Sequence, residues 1–290
     1  MLMETTHRTP SKRVETPTMS AMKRFGGYKA EEPIAERPVI LKKEPGFEAL
    51  MDAWKSYEGD GYERILEKVK GLEYCARDIW KFTTSLIAFD DEHMINPGTF
   101  LSAAINNCPD SEFRLDLPNL IHQIHGIGFR NSKSIHIHGD VETGLGREMT
   151  GGSIVLRGRC GDNIGTDMKG GRITVFGNLE WACDGIGCRM KGGTIRINGH
   201  APLDIGGNME DGRIIVKGDV LWSQGDNPLK ECSYVGDGMK GGKIEIFGRV
   251  DTKVGEGMEG GTIILHKDFG GIGNVVHGKI FHKGKLIVDK

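Results

Sequence analysis

A motif of 13 residues occurs six times between residues 146 and 267. In each copy a methionine follows a glycine by three positions, and a glycine pair occupies positions +2 and +3 after the methionine. An isoleucine stands at +5, a second aliphatic residue at +7 and a closing glycine at +9. Two residues depart from this pattern: Asp211 in one glycine pair, and Lys267 at the last closing position. Seven positions held through six copies establish an internal repeat.

Three residue types define the repeat. The methionines are Met149, Met168, Met190, Met209, Met239 and Met258; the glycines three positions earlier are Gly146, Gly165, Gly187, Gly206, Gly236 and Gly255; the isoleucines are Ile154, Ile173, Ile195, Ile214, Ile244 and Ile263. Successive methionines are 19, 22, 19, 30 and 19 residues apart. The base period is therefore 19 residues, with one insertion of three and one of eleven.

The length and composition of the repeat favour a β-solenoid. Helical repeats are longer, and each needs two apolar helical faces, which glycine fills poorly. An isoleucine alternating with a second aliphatic residue is typical of a very short strand. The glycine pair before it predicts a turn that needs positive φ or a close approach of backbone. We therefore predict a mainly β fold, a right-handed β-helix of about six to seven coils in which one repeat forms one coil.

Stacked coils place equivalent residues in columns, at the ordinary strand spacing of about 4.8 Å. We expect the methionines and the aliphatic residues at +5 and +7 to point inward. Two further inward columns are Leu145, Ile164, Ile186, Ile205, Val235 and Val254 before the first glycine, and Val141, Cys160, Leu179, Ala201, Val220 and Val250 after the closing glycine. Its place in the second column identifies Cys160 as a small core residue rather than a reactive thiol.

Positions +6 and +8 should point away from the core, because side chains alternate along a strand. These columns contain four large apolar residues that a freely solvated face would not need. They are Phe176, Ile215, Phe247 and Ile264, and they form a candidate interface. Two explanations stay open: a helical segment of the same chain covers this face, or another protein does.

The residues before the repeat divide into two regions. Residues 1–45 are polar, contain several prolines and show no hydrophobic period, so we predict an extended or disordered arm. Residues 46–107 show apolar groups at three- and four-residue spacing, which predicts a small helical subdomain. Asn96 is expected to cap a helix whose first residue is Pro97. The solenoid domain is assigned to residues 108–290, beginning with the alternating strand "SEFRLDL".

Composition restricts the partners and the compartment. The net charge is −2 at pH 7, which gives no overall attraction to nucleic acid or to a membrane surface. The chain has no apolar run long enough for a transmembrane helix, and its first residues lack the apolar region of a secretory signal. Its six cysteines contain no CxxC pair. We therefore expect a cytoplasmic protein whose thiols are reduced.

Two histidines could share a metal ion. His136 and His138 lie two residues apart in "SIHIHG", so they lie on one face of a predicted strand. Alignment with the repeat points Ile135 and Ile137 inward, and both imidazoles therefore face outward. No third ligand is fixed by the sequence, which favours a metal-free interpretation.

The cysteines and aspartates near the turns also match no complete site. Cys183, Cys188 and Cys232 follow no known zinc or iron–sulfur spacing, and we interpret them as structural or exposed thiols. Asp162, Asp184 and Asp204 lie beside glycines, where aspartate usually bonds to local backbone amides. We therefore predict no catalytic, cofactor-binding or metal-binding residue in this chain.

The repeats, as in "VGDGMKGGKIEIFG" and "VGEGMEGGTIILH", resemble those of the GXGXG superfamily. Two branches are candidates. Met-x-Gly-Gly in five copies and the insertion "LKECSYVGDGMKGG" look more like the GXGXG-repeat subunit of formylmethanofuran dehydrogenase, a CO2-reducing enzyme of methanogenesis. The segments "FLSAAINNCPDSEFRLDL" and "SIHIHG" look more like the C-terminal domain of the glutamate synthase large subunit. The resemblance covers residues 95–267, and residues 1–90 resemble neither branch.

Both branches imply a β-helix without catalytic residues that packs beside other subunits or domains. In formylmethanofuran dehydrogenase, the partner subunits carry molybdopterin with tungsten or molybdenum, and iron–sulfur clusters. In glutamate synthase, the domain helps to surround an ammonia tunnel beside a flavin domain. The resemblance implies no cofactor bound by this chain itself.

The first hypothesis is therefore a non-catalytic structural subunit of a multi-subunit cytoplasmic oxidoreductase, most similar to the GXGXG-repeat subunit of formylmethanofuran dehydrogenase. A glutamate-synthase-type subunit of an amidotransferase assembly, with a role in ammonia channelling, is the second. The third is a stand-alone β-helix scaffold or enzyme. An enzyme would need a cluster of acidic or basic groups on one outward column, and these columns are mixed.

Overall fold

The computed structural model describes residues 44–59, 61–86, 96–117, 124–179, 185–221 and 234–290. Residues 44–290 form one compact unit. Within the described ranges four helices come first, and a parallel β-solenoid of about eight turns follows. This confirms the predicted fold class. The arm predicted for residues 1–45 lies outside the described residues, apart from its last two positions.

Ten of the twelve described strands form one sheet along the solenoid. The strands are β1 (Glu112–Asp116), β2 (Ser134–His138), β3 (Ser153–Arg157), β4 (Arg172–Val175), β5 (Lys191–Ile197), β6 (Asp211–Val216), β7 (Lys243–Ile246), β8 (Val250–Val254), β9 (Thr262–Leu265), β10 (Phe269–Ile272), β11 (Lys279–His282) and β12 (Lys285–Asp289). The sheet order is β1-β2-β3-β4-β5-β6-β7-β9-β11-β12, and β8 pairs with β10 separately. Neighbours from β1 to β11 are parallel, whereas β12 runs antiparallel to β11.

The isoleucine of each repeat stands beside the isoleucine of the next. One ladder of directly paired residues runs through Ile135, Ile154, Ile173, Ile195, Ile214, Ile244, Ile263 and Ile280. All eight are fully buried, as are the six repeat methionines. The columns predicted before and after the glycines form further ladders of single parallel bridges, such as Ile164 to Ile186 and Val141 to Cys160. One repeat therefore forms one coil, and its apolar columns fill the interior.

The structure contains more coils than the six to seven predicted. The methionine signature is missing from the additional coils, although their isoleucines join the same ladder. In the coil of β2, Asn131 takes the place of the methionine: Thr150 donates its backbone N–H to Asn131, as Lys169 does to Met149. The side chain of Asn131 is fully buried, and it bonds to both the N–H and the C=O of Lys133. A self-contained polar contact thus replaces an apolar one.

The glycines before the methionines are required by two conditions at once. Gly165, for example, has a φ of +63°, which most side chains disfavour. A Cβ at this position would also lie 2.5 Å from Cδ1 of Ile195 in the next coil. The isoleucine of each coil therefore fills the space that the missing side chain leaves in the coil before it.

The described helices that precede the solenoid are α1 (Pro45–Lys55), α2 (Tyr62–Val69), α3 (Ala76–Ser85) and α4 (Pro97–Asn107). The side-chain oxygen of Asn96 accepts from the N–H of Gly98, and Pro97 begins the helix, as predicted. The helical run predicted after Tyr62 is divided, because the chain turns at Gly71 with a φ of +81°. Aromatic rings join α1, α3 and α4, with Trp54 and Phe82 both packed on Phe100. Helix α3 also packs against β1.

Candidate functional site

The outward-pointing side chains of the ten-stranded sheet form one long surface, here called the outer face. Its central column is Arg114, His136, Val155, Thr174, Arg196, Ile215, Glu245, Ile264, Phe281 and Leu286, with each residue paired to the next. Charged, polar and apolar side chains are therefore mixed from Arg114 to Glu245, and the last three residues are all apolar. The outer face carries the four predicted interface residues and both histidines of the metal hypothesis.

The four predicted interface residues do not form one patch. Phe176 is 49% exposed, whereas only 9% of Ile215 is exposed. Phe247 and Ile264 are half-buried. In the central column, Glu245 separates Ile215 from Ile264. Phe176, Ile215 and Phe247 each stand beside charged side chains rather than beside one another.

Cationic side chains cover both phenylalanines. The guanidinium of Arg157 lies 4.6 Å from the ring centre of Phe176. The ring of Phe247 has the ammonium of Lys217 3.2 Å from its centre and the imidazole of His266 stacked at 4.2 Å. Cation–π contacts therefore stabilise both rings, although Phe176 stays half exposed.

Glu245 gathers three basic side chains of the outer face, one of which is the His266 that stacks on Phe247. Its carboxylate accepts from Arg213 at 2.6 Å, lies 3.3 Å from Nε2 of His266, and lies 3.8 Å from the ammonium of Lys243. Burial alone would raise the pKa of Glu245, but the hydrogen bonds from Arg213 and His266 outweigh it and leave the pKa below its usual value. This carboxylate is therefore ionised at neutral pH, and it organises the surface rather than serving as an acid.

An apolar patch at the C-terminal end of the outer face was not predicted from the sequence. Ile264, Phe281 and Leu286 are paired across β9, β11 and β12, and Leu286 is 46% exposed. These last strands lie beyond the glycine repeat, and the alternation in "KIFH" was the available signal. The patch makes the interface candidate larger at this end than the repeat alone indicates.

An open groove of about 630 Å³ lies at the other end of the outer face. It is lined by Ala76, Arg77, Trp80, Glu112, Phe113, Arg114, His136 and His138. Beside it, Asp116 accepts from Nε1 of Trp80 at 2.7 Å and from Nε of Arg114 at 3.0 Å. Nδ1 of His138 lies 3.1 Å from the same carboxylate. The bond from Trp80, with those from Arg114 and His138, lowers the pKa of Asp116 below its usual value.

The metal hypothesis for His136 and His138 gains no third ligand. Both imidazoles do face outward, in the groove just described. The residue paired with His136 on β1 is Arg114, whose positive charge opposes a cation. Within the described ranges, no three His, Cys, Asp or Glu side chains are grouped so that they could hold a metal ion.

The cysteines occupy different environments. Cys160 is buried in its column, and burial raises the pKa of its thiol. Cys75 is exposed, and Cys188 is half-buried, with its sulfur 3.5 Å from Nη1 of Arg189. Cys183, Cys232 and Asp184 lie outside the described residues.

The two described aspartates of the glycine turns lie in the loops before Ile164 and Ile205. The backbone carbonyl of Asp162 accepts from the N–H of Gly144, and that of Asp204 accepts from the N–H of Ile186. Both residues therefore take part in the bonding between neighbouring coils through their main chain.

Comparison with known proteins does not assign the chain to a family. No protein-family model matches the chain, and no curated protein matches it either. The resemblance to the GXGXG superfamily therefore rests only on the sequence segments quoted above. In the part of the chain that the structure describes, no helix is long and apolar enough to cross a membrane.

Proposed function

We propose that this chain is a non-catalytic subunit of a multi-subunit enzyme and that its outer face binds a partner subunit. The observation that carries this proposal is the ring of Phe176, 49% exposed and held beneath Arg157. Aromatic residues and arginine are enriched at the centres of protein interfaces, where they lose little freedom on binding. A ring that stays in solvent contributes little apolar burial, whereas a ring buried by a partner would stabilise the complex.

The enzyme is proposed to be a cytoplasmic oxidoreductase similar to formylmethanofuran dehydrogenase. Its partner subunits would carry the molybdopterin and iron–sulfur groups. Support comes from the Met-x-Gly-Gly motif in five of the six repeats. The alternative is a glutamate-synthase-type subunit whose partners carry flavin and glutaminase chemistry. The segment "FLSAAINNCPDSEFRLDL" favours this alternative.

Purification of the native assembly tests the proposal. The tagged chain would be expressed in its own host, and the co-purifying chains would be identified by mass spectrometry and by their bound cofactors. Molybdopterin with iron–sulfur clusters supports the first assembly, whereas flavin supports the second. A purified monomer with enzymatic activity of its own would refute the subunit role.

Substitution of the exposed ring connects the assembly to the outer face. Phe176→Ser should reduce the recovery of partner chains while leaving the melting temperature unchanged, because the ring is half exposed. Arg172→Ser is the matched control, since Arg172 is an exposed residue of β4, the strand that ends immediately before Phe176. If both variants recover partners equally well, the partner does not bind at Phe176.

A further inference from the structure

The groove at the helical end of the outer face combines a ring with several nitrogen donors. Helix α3 contributes Arg77 and Trp80, and strand β2 contributes His136 and His138. Trp80 is 37% exposed, although tryptophan is a large apolar side chain. Because the elements come from distant parts of the sequence, only the fold brings these groups together.

Asp116 holds the groove in shape. Oδ2 accepts from the indole of Trp80, and Oδ1 contacts both Arg114 and His138. Both carboxylate oxygens are thus in contact with donors of the protein. With Nδ1 of His138 directed at Asp116, the Nε2 atom on the opposite side of the ring is left for other contacts.

Several donors in the groove have no partner in the part of the chain that the structure describes. Among the described residues, Arg77 and His136 make no hydrogen bond or ion pair, and Arg114 bonds only through Nε. Of the described side chains that line the groove, only Glu112 carries a carboxylate. Donors that can bind an oxyanion therefore outnumber the acidic groups.

We infer that this groove binds a small ligand in which an oxyanion, phosphate or carboxylate, is attached to a flat apolar ring. Arg77, Arg114 and His136 bind the oxyanion through charged or neutral N–H donors. The ring packs against Trp80, whose orientation is set by its bond to Asp116. A metal cation is disfavoured at the same place, since Arg114 stands directly opposite His136. The groove adjoins the proposed partner surface, since His138 is paired with Arg157, which lies over the ring of Phe176.

Titrations with three probes test this inference: phenyl phosphate, benzoate and inorganic phosphate. The indole Nε1–H signal of Trp80, assigned by its loss in Trp80→Phe, is followed by two-dimensional NMR. We expect a saturable shift with a dissociation constant on the order of 1 mM for a ring-bearing probe, and about tenfold weaker binding of inorganic phosphate. Tighter binding of phenyl phosphate identifies a phosphate ligand, and tighter binding of benzoate identifies a carboxylate ligand. No saturable shift with either ring-bearing probe overturns the inference.

A double variant separates the site from general attraction to charge. Arg77→Gln combined with His136→Gln removes two groups that have no partner in the described fold, so folding should be unchanged. The affinity for the tighter probe should fall about tenfold or more. Arg172→Gln removes an exposed positive charge from the outer face away from the groove, and it should alter the affinity by less than about twofold. Equal weakening in both variants, or in neither, overturns the inference.

Discussion

Cε of Met168 packs against Gly193 so closely that it lies only 2.7 Å from the position that a Cβ on Gly193 would occupy. The same relationship links each repeat methionine to a glycine of the following coil. The pairs are Met149 with Gly171, Met168 with Gly193, Met190 with Gly212, Met209 with Gly242, Met239 with Gly261 and Met258 with Gly278, at 2.5 to 2.7 Å. Methionine and glycine recur together because the methyl end of each methionine packs against the glycine of the following coil, where a larger residue would not fit.

Gly193→Ala should be strongly destabilising. The residue has a φ of +91°, and the added methyl group would meet Met168 and the carbonyl oxygen of Gly171. Left-handed strain and overpacking together predict a loss on the order of 3 kcal/mol in the free energy of unfolding, measured by urea denaturation. Gly71→Ala is the control, since its φ is +81° and nothing lies within 4 Å of the added group.

The control should lose only about 1 kcal/mol, the cost of the backbone conformation. Equal losses for both variants would show that conformation alone, rather than the contact with the neighbouring coil, requires glycine in the repeat.

Asn131→Ala should destabilise the first coils. Its amide donates to the carbonyl of Lys133 at 2.8 Å and accepts from the N–H of Lys133 at 3.1 Å, with the residue fully buried. Truncation leaves the N–H of Lys133 without its acceptor, whereas the carbonyl of Lys133 still accepts from the N–H of Ser153, and we expect a loss on the order of 2 kcal/mol in the free energy of unfolding. Asn198→Ala removes a half-exposed amide that bonds to Arg196, and it should cost less than about 0.5 kcal/mol. Similar losses in the two variants would contradict the role of Asn131.

Cys160 should resist alkylation in the folded protein. Its thiol is buried, and burial raises its pKa, so little reactive thiolate is present near neutral pH. Cys75 is exposed and should be labelled first. Peptide mapping after treatment with iodoacetamide at mildly alkaline pH measures both sites, and labelling of Cys160 should appear only after denaturation. Comparable labelling of the two thiols in the native protein would show that Cys160 becomes accessible to solvent without global unfolding.

Asp116→Asn should make stability less dependent on pH under acidic conditions. The folded-state pKa of Asp116 is lowered, chiefly by the bond from Trp80, so ionisation stabilises the fold above the unfolded-state pKa of about 3.9. This contribution is lost as the pH falls through the folded-state value. The difference in unfolding free energy between wild type and variant should therefore shrink between neutral pH and about pH 3. A constant difference over that range would mean that the charge of Asp116 contributes nothing to stability.

The alternation and the 19-residue period were sufficient to predict the coil, its inward columns and its turns. The reason is that the contacts between coils connect equivalent positions of adjacent repeats. The residues that make each contact therefore recur in all six copies of the motif. The start of the helix at Asn96 and Pro97 could be predicted equally well, since a helix start depends on residues that are neighbours in the sequence. The coils of β2 and β11 lack the repeat motif, because Asn131 and Val275 occupy the methionine positions there, and the predicted six to seven coils therefore fell slightly short of the roughly eight observed.

The groove was decided by tertiary structure alone, and the C-terminal apolar patch by the pairing of β9, β11 and β12. Trp80 is 36 residues from Asp116, and His138 is 22 residues from it, and no local pattern connects them. Each makes its contact because α3 packs on β1 and because β1 pairs with β2 in one register. A repeat determines from the sequence which residues face inward. Which outward side chains lie next to one another depends on how the non-repeated helices and strands pack, and this packing is fixed only in the folded chain.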